Sequence, residues 1–236
     1  MPERLDKLIA SQTKFSRGDV KKLIRSGRIL VNGCPASSAE MKIEPSENEV
    51  SVDGVLLFYE KFIYIMMNKP EGVVSATEDK RDKTVLDLVP EEYRHRALFP
   101  AGRLDKNTTG FVLLTDDGDF AHKILTPKNH ITKTYIVTLE RTVTQDEHRQ
   151  ICAGMTIGGE QLLPASLTQI HDTVYEIVIR EGKYHQIKRM FGSFGNPVTA
   201  LRRTKMGNLP LDEDLPEGSC RKLSPNEVKM IEDGKI

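Results

Sequence analysis

The 236-residue sequence predicts a mixed α+β chain built from hairpins and helices, not from a regular alternation of strand and helix. Three observations predict it. Apolar residues recur at helical spacing near the N-terminus, alternating segments later end in Asn-Gly and Asp-Gly turns, and the composition turns to that of buried strands from Phe62 onward.

Leu5, Leu8 and Ile9 in "RLDKLIA" and Val20, Leu23 and Ile24 in "SRGDVKKLIRSG" predict two short helices. Ser16 and Asp19 stand at capping-box spacing, and Gly27 supplies the stop. "RILVNG" and "EVSVDG" read as strands closed by tight turns, which completes a helix, helix, sheet unit over residues 1–58. Residues 59–61 are then a linker, and residues 62–236 a second domain. There "FIYIMMNKP", "FVLLT", "KTYIVTLE" and "YEIVIREG" predict strands. "DDGD" predicts the turn and cap of a helix "FAHKIL", and "HQIKRMFGSFGNP" a helix with Ile187, Met190, Phe191 and Phe194 on one stripe. Ser224, Pro225 and Glu227 open a final helix.

The 34 basic and 34 acidic side chains cancel, so only their local distribution is informative. Residues 1–33 hold eight Lys or Arg against three acids, and residues 181–205 hold six against one. Lys14, Arg17, Lys21, Lys22 and Arg25 surround the second helix; cations at a helix N-terminus oppose its dipole, which makes phosphate a suitable counter-charge, as against an ordinary solvated face. Three separated cysteines favour neither zinc nor disulfides and fit a reducing, cytosolic setting. No apolar run has a membrane span's length, the N-terminus lacks a signal peptide's apolar stretch, and the six histidines lack metal-site spacing. Asp116, Asp117 and Asp119 are accounted for by turn and cap roles, so no metal is expected.

Phosphate loops of the GxxxxGK[ST] or GxGxxG kind are missing, as is a GxSxG nucleophile elbow. The remaining candidates for chemistry are Asp105 in "AGRLDKNTTG", Tyr135 in "KTY" and the basic cluster of "EGKYHQIKRM". A lone Asp in a segment of turn formers is equally a surface turn, and a strand tyrosine taken alone reads as a packing residue before a functional one.

"NKPEGVVS", "GRLDKNTTGFVLLTDDG", "KTYIVTLE" and "EGKYHQIKRMFGSFG", in this order behind "RLDKLIA", closely resemble the RsuA-type RNA pseudouridine synthases over nearly the whole chain. The resemblance implies an N-terminal RNA-binding domain of the ribosomal-protein type and a catalytic domain with a mixed, mostly antiparallel sheet flanked by helices. It implies a cofactor-free, cytoplasmic, monomeric enzyme. The implied reaction isomerises uridine within RNA to pseudouridine after its base is flipped from the stack.

By motif position the resemblance makes Asp105 the catalytic carboxylate, Lys188 its basic partner and Tyr135 the ring that stacks on uracil. Arg103 matches the residue that fills the space of the everted base. Asn68, Lys69 and Pro70 match a motif that shapes the cleft floor. Attack on the sugar and abstraction of a ribose proton both require an ionised carboxylate. Burial raises a carboxyl pKa by up to ~3–5 and a nearby cation lowers it by ~1–3, so a cation within reach matters. Arg189, Arg202, Arg203 and Lys205 join the five N-terminal cations as expected phosphate contacts.

Tyr184 and His185 in "GKYHQIKRM" favour small-subunit (16S) ribosomal RNA, free or within an assembling subunit, because the large-subunit (23S) relatives tend to carry Asn-Arg there. The alternatives are that 23S type and a non-catalytic RNA-binding assembly factor. Glycosidic hydrolysis normally needs two carboxylates, and only one is nominated. Phe111, Val112 and Lys183 are small departures from the family pattern.

Overall fold

The computed structural model describes residues 2–129 and 131–234, so the outer ends of the two expected domains, residues 1 and 235–236, lie outside it. The chain forms two compact units, one of Met1–Phe62 with Pro90–Ala97, the other of Ile63–Val89 with Leu98–Ile236.

The first unit begins with α1 (Leu5–Gln12) and α2 (Arg17–Arg25). Ser16 accepts from Asp19 N and Asp19 accepts from Ser16 N, a reciprocal cap that satisfies donors the helix itself leaves open. Lys22 and Arg25 fall in the last turn of α2, where cations favour the dipole, so only Lys14 and Arg17 stand on its unfavourable side. A small antiparallel sheet follows, with β1 (Ile29–Val31), β2 (Cys34–Pro35), β3 (Val50–Val52) and β4 (Val55–Leu56) in the order β2-β1-β3-β4. Asn32-Gly33 and Asp53-Gly54 turn at positive φ, as two-residue hairpins require. Leu5, Leu8, Ile9, Val20, Leu23, Ile29, Val31, Val50 and Val52 form the core between helices and sheet.

The return of Pro90–Ala97 to this unit is not foreseen by the sequence pattern. Arg96 explains it: largely buried, it donates to the carbonyls of Ser11, Glu60 and Lys61 at 3.0–3.1 Å, tying three separate segments together.

The second unit is organised by one large sheet. Its main strands are β5 (Tyr64–Lys69), β6 (Thr109–Thr115), β7 (Lys133–Leu139), β8 (Ser166–His171), β9 (Val174–Ile179), β10 (Val198–Met206) and β11 (Cys220–Lys222), with the short strands Phe99–Pro100 and Leu209–Pro210 paired alongside. Their spatial order is β8-β9-β7-β10-β6-β5-β11, antiparallel except where β10 meets β6. Around it lie α3 (Gly118–Leu125), α4 (Gln145–Ala153), α5 (Gln186–Gly192) and α6 (Pro225–Glu232). Strands β5 and β6 are covered on both faces, which is why they read as continuous apolar runs instead of alternating. Asp117 caps α3 by accepting from Phe120 N, and Asp116 accepts from Ile63 N. The helix expected to carry Phe194 ends at Gly192; Phe194 lies in the following turn and its carbonyl accepts from Arg141.

Gly110 marks the one parallel contact in the sheet, opposite Arg203. Its φ is +97° and a Cβ there would lie 2.2 Å from the Arg203 carbonyl oxygen. Backbone strain and overpacking each cost about 1–3 kcal/mol, so Gly110→Ala is expected to lower the second unit's stability by about 2–6 kcal/mol. Urea unfolding followed by a probe in that unit checks this; an unchanged midpoint contradicts it.

Candidate active site

Asp105 is carried by the turn that leads into β6, and the turn is held from below. Lys69, at the end of β5, is fully buried, and its ammonium donates to the carbonyls of Pro70 (2.9 Å), Lys106 (3.2 Å) and Thr108 (2.8 Å). Ser75 grips the preceding residue from both sides, its Oγ accepting from Leu104 N and donating to Leu104 O, both at 3.1 Å. Thr108 N closes the turn onto the Asp105 carbonyl. The backbone around the carboxylate is therefore fixed largely by side chains outside the turn.

The opposite wall comes from α5 and the loop before it. Lys188 Nζ donates to Asp105 Oδ2 at 2.7 Å and to Asn107 Oδ1 at 2.6 Å. His185 Nε2 stands 3.3 Å from the other oxygen, Oδ1. Both carboxylate oxygens thus face nitrogen atoms, and the Asp105 side chain keeps 29% of its surface exposed. His185 adopts the left-handed conformation, φ 47°, as it enters α5. The loop holds it there through buried Glu181, which accepts from Leu163 N and Gln186 Nε2, while Gln186 Oε1 accepts from Lys183 N.

Tyr135 projects from the middle of β7 into the same hollow, which Arg103, Asp105, His185 and Lys188 also line. Its hydroxyl lies 3.5 Å from Arg203 Nη1. Arg203 is 3% exposed; its Nε donates to Phe111 O at 2.7 Å, and Nη2 has no partner among the described residues. The expectation that Arg203 contacts phosphate is therefore corrected: strand alternation turns it inward, beneath Tyr135.

The other expected phosphate contacts divide. Lys14, Arg17, Lys21, Lys22 and Arg25 are exposed on the first unit, with Lys21 3.7 Å from Glu40 and Lys22 3.5 Å from Asp19. Arg189 is half-buried and bonded to Glu160 and to the carbonyls of Ile157 and Tyr184. Arg202 pairs with Glu217 at 3.0 Å. Arg202 and Lys205 line a groove with Thr134, Glu176, Asp212 and Glu213, on the face of the sheet opposite Tyr135. They do not extend the hollow's basic surface.

Burial lowers Lys69 to about 8, with Asp105 pulling the other way; burial and then the neighbouring Arg203 lower Lys133 to about 8. Among the described residues no three His, Cys, Asp or Glu side chains are grouped to hold a metal, and no helix is long and apolar enough to cross a membrane.

Residues 63–193 match the RNA pseudouridylate synthase family model, and residues 3–48 match the S4 domain. The chain belongs to the RNA pseudouridylate synthase family. The synthase is 44% identical to an uncharacterized RNA pseudouridine synthase of Bacillus subtilis, YtzG, covering 97% of this chain and 98% of the relative. It is 42% identical to ribosomal small subunit pseudouridine synthase A of Escherichia coli, covering 97% and 99%. A solved pseudouridylate synthase shares 38% identity and superimposes with a TM-score of 0.68 over 97% of this chain and 99% of that one. In the synthase's hollow, Asp105, Tyr135, Lys188 and Arg103 come together from three separated stretches of sequence. The sequence pattern does not mark His185, Asn107 or Ser75 as supports of the carboxylate, nor the inward turn of Arg203. The signal for His185 and Asn107 is their place inside the two motifs, but contact across some 80 residues of chain is invisible in either motif alone.

Proposed function

We propose that this synthase converts a uridine of small-subunit ribosomal RNA to pseudouridine, with Asp105 as its catalytic carboxylate. The observation that carries the reading is the pairing of Asp105 with Lys188 at 2.7 Å in a hollow that Tyr135 shares. Nitrogen atoms facing both oxygens hold the carboxylate in one orientation when a ribose and base displace water from around it.

The reaction is an isomerisation, so no atom enters or leaves overall. The bond from ribose C1′ to uracil N1 breaks, uracil turns, C1′ bonds to C5, and the C5 proton leaves as N1 gains one. Asp105 acts at the sugar, either on C1′ or on a ribose proton. Tyr135 stacks on the uracil, and its hydroxyl relays the C5 proton. Arg203, at 3.5 Å from that hydroxyl, sets its orientation. Lys188 holds Asp105 in its aim, while Arg103 occupies the place of the everted base.

Eversion costs a few kcal/mol of stacking and pairing, which binding elsewhere must supply. The exposed cations of the S4 unit are suited to that: Lys14, Arg17, Lys21, Lys22 and Arg25 bind phosphates and position the RNA, while the hollow reads the loop. The names of the relatives support the small subunit as substrate, and Tyr184-His185 agrees.

Pseudouridine mapping across ribosomal RNA from cells with and without the synthase tests the reading. One small-subunit position is expected to revert to uridine. Loss confined to large-subunit RNA, or no loss, contradicts it.

A further inference from the structure

Tyr184 is the most exposed aromatic ring beside the hollow, at 77%, yet it is not loose. Its inner face is stacked on His185, centroids 3.9 Å apart and planes 16° from parallel. Its carbonyl accepts from Arg189, and the preceding Lys183 is pinned through Nζ to Gln161 O at 2.7 Å. His185 in turn contacts Asp105. The sequence of contacts runs from carboxylate to imidazole to phenol ring to solvent.

The geometry points to Tyr184 as a stacking platform for the base of a nucleotide immediately flanking the target uridine. This rests on the proposed function and adds a recognition residue to it. An aromatic face exposed on a loop already ordered by hydrogen bonds loses little freedom when a base settles on it. Base-on-aromatic stacking is the usual means by which proteins hold unstacked RNA bases. Everting the uridine leaves its neighbours short of one stacking partner, and Tyr184 stands one ring beyond His185 to replace it.

The chain contains no tryptophan, so Tyr184→Trp introduces a single indole whose emission can be followed selectively. In an Asp105→Asn background the complex with a ribosomal hairpin bearing the mapped uridine accumulates unreacted. Saturation, followed independently by anisotropy of labelled RNA, is expected to quench the indole emission. An abasic nucleotide at one flanking position should abolish the quenching, while one placed further away should not. In the intact enzyme, Tyr184→Ala is expected to lower kcat/KM about 10-fold or more on the full hairpin. On the hairpin abasic at that flank it should perform like wild type, and Tyr184→Phe should retain activity on both. Unchanged indole emission at saturation overturns the inference, as does an equal loss for Tyr184→Ala on full and abasic RNA. The quenching measurement does not depend on catalysis, so a failure of the proposed reaction is seen separately, as wild type forming no pseudouridine.

Discussion

Lys69→Met is expected to lower the synthase's kcat by about 100-fold while changing RNA affinity little, although Lys69 never reaches the hollow. Its three carbonyl partners, on Pro70, Lys106 and Thr108, define the turn that aims Asp105. Methionine matches the length but donates nothing. A displacement of about 1 Å at a reacting group costs on the order of 100-fold in rate. The effect on stability is smaller because two contributions oppose: buried acceptors left unpaired cost about 1–3 kcal/mol, and a buried charge is removed. Steady-state kinetics beside urea unfolding separate the two; a variant with wild-type kcat contradicts the assigned positioning role.

The same lysine gives a pH signature. A neutral amine has two N–H donors for three carbonyls, so the turn loosens as Lys69 loses its proton near pH 8. Wild-type activity is expected to decline above about pH 8, and Lys69→Met to show no such limb. Unfolding is not the cause. For Lys69 and Lys133 the folded values of about 8 lie below the ordinary 10.5, so between these limits the unfolded chain binds more protons and stability rises with pH. The cost of the two buried charges is fully present below pH 8. At the acid end the sign reverses: Glu147 bonded to Arg141, and Glu227 bonded to Arg221, are held at about 2. Both contribute stability above about 4.5 that is lost as pH falls toward 2.

Local chemistry makes much of this fold legible. Ser16, Asp117 and Ser224 cap the helices that their spacing announces, because a cap is decided within four residues. The strands of the small sheet are framed by turns that need positive φ, and the sequence supplies Asn-Gly and Asp-Gly there. Strand β10 is not legible as a strand. Its inward positions include Arg203, a charge where alternation calls for an apolar residue, so nine residues of strand resemble a basic surface segment. The site shows the same division. Motifs place Asp105, Tyr135 and Lys188, whereas the second contact to Asp105 from His185 depends on a left-handed residue held by Glu181 and Gln186, a tertiary effect. Pro90–Ala97 joins the first unit through one buried arginine, and no periodicity encodes that.

Asp105→Asn is expected to have the largest effect. It preserves shape and removes only the negative charge, leaving Lys188 and His185 facing a neutral amide. An amide neither attacks C1′ nor accepts a ribose proton, so each route open to Asp105 is blocked. RNA affinity should stay within a few-fold, because phosphate contacts elsewhere supply most of it and losing an anion near phosphates does not weaken them. The most direct measurement is therefore pseudouridine formation in a single turnover, with Asp105→Asn in excess over an RNA it demonstrably binds. No product above the enzyme-free control is the predicted result; product forming at the wild-type rate would show that the paired carboxylate is not what drives the reaction.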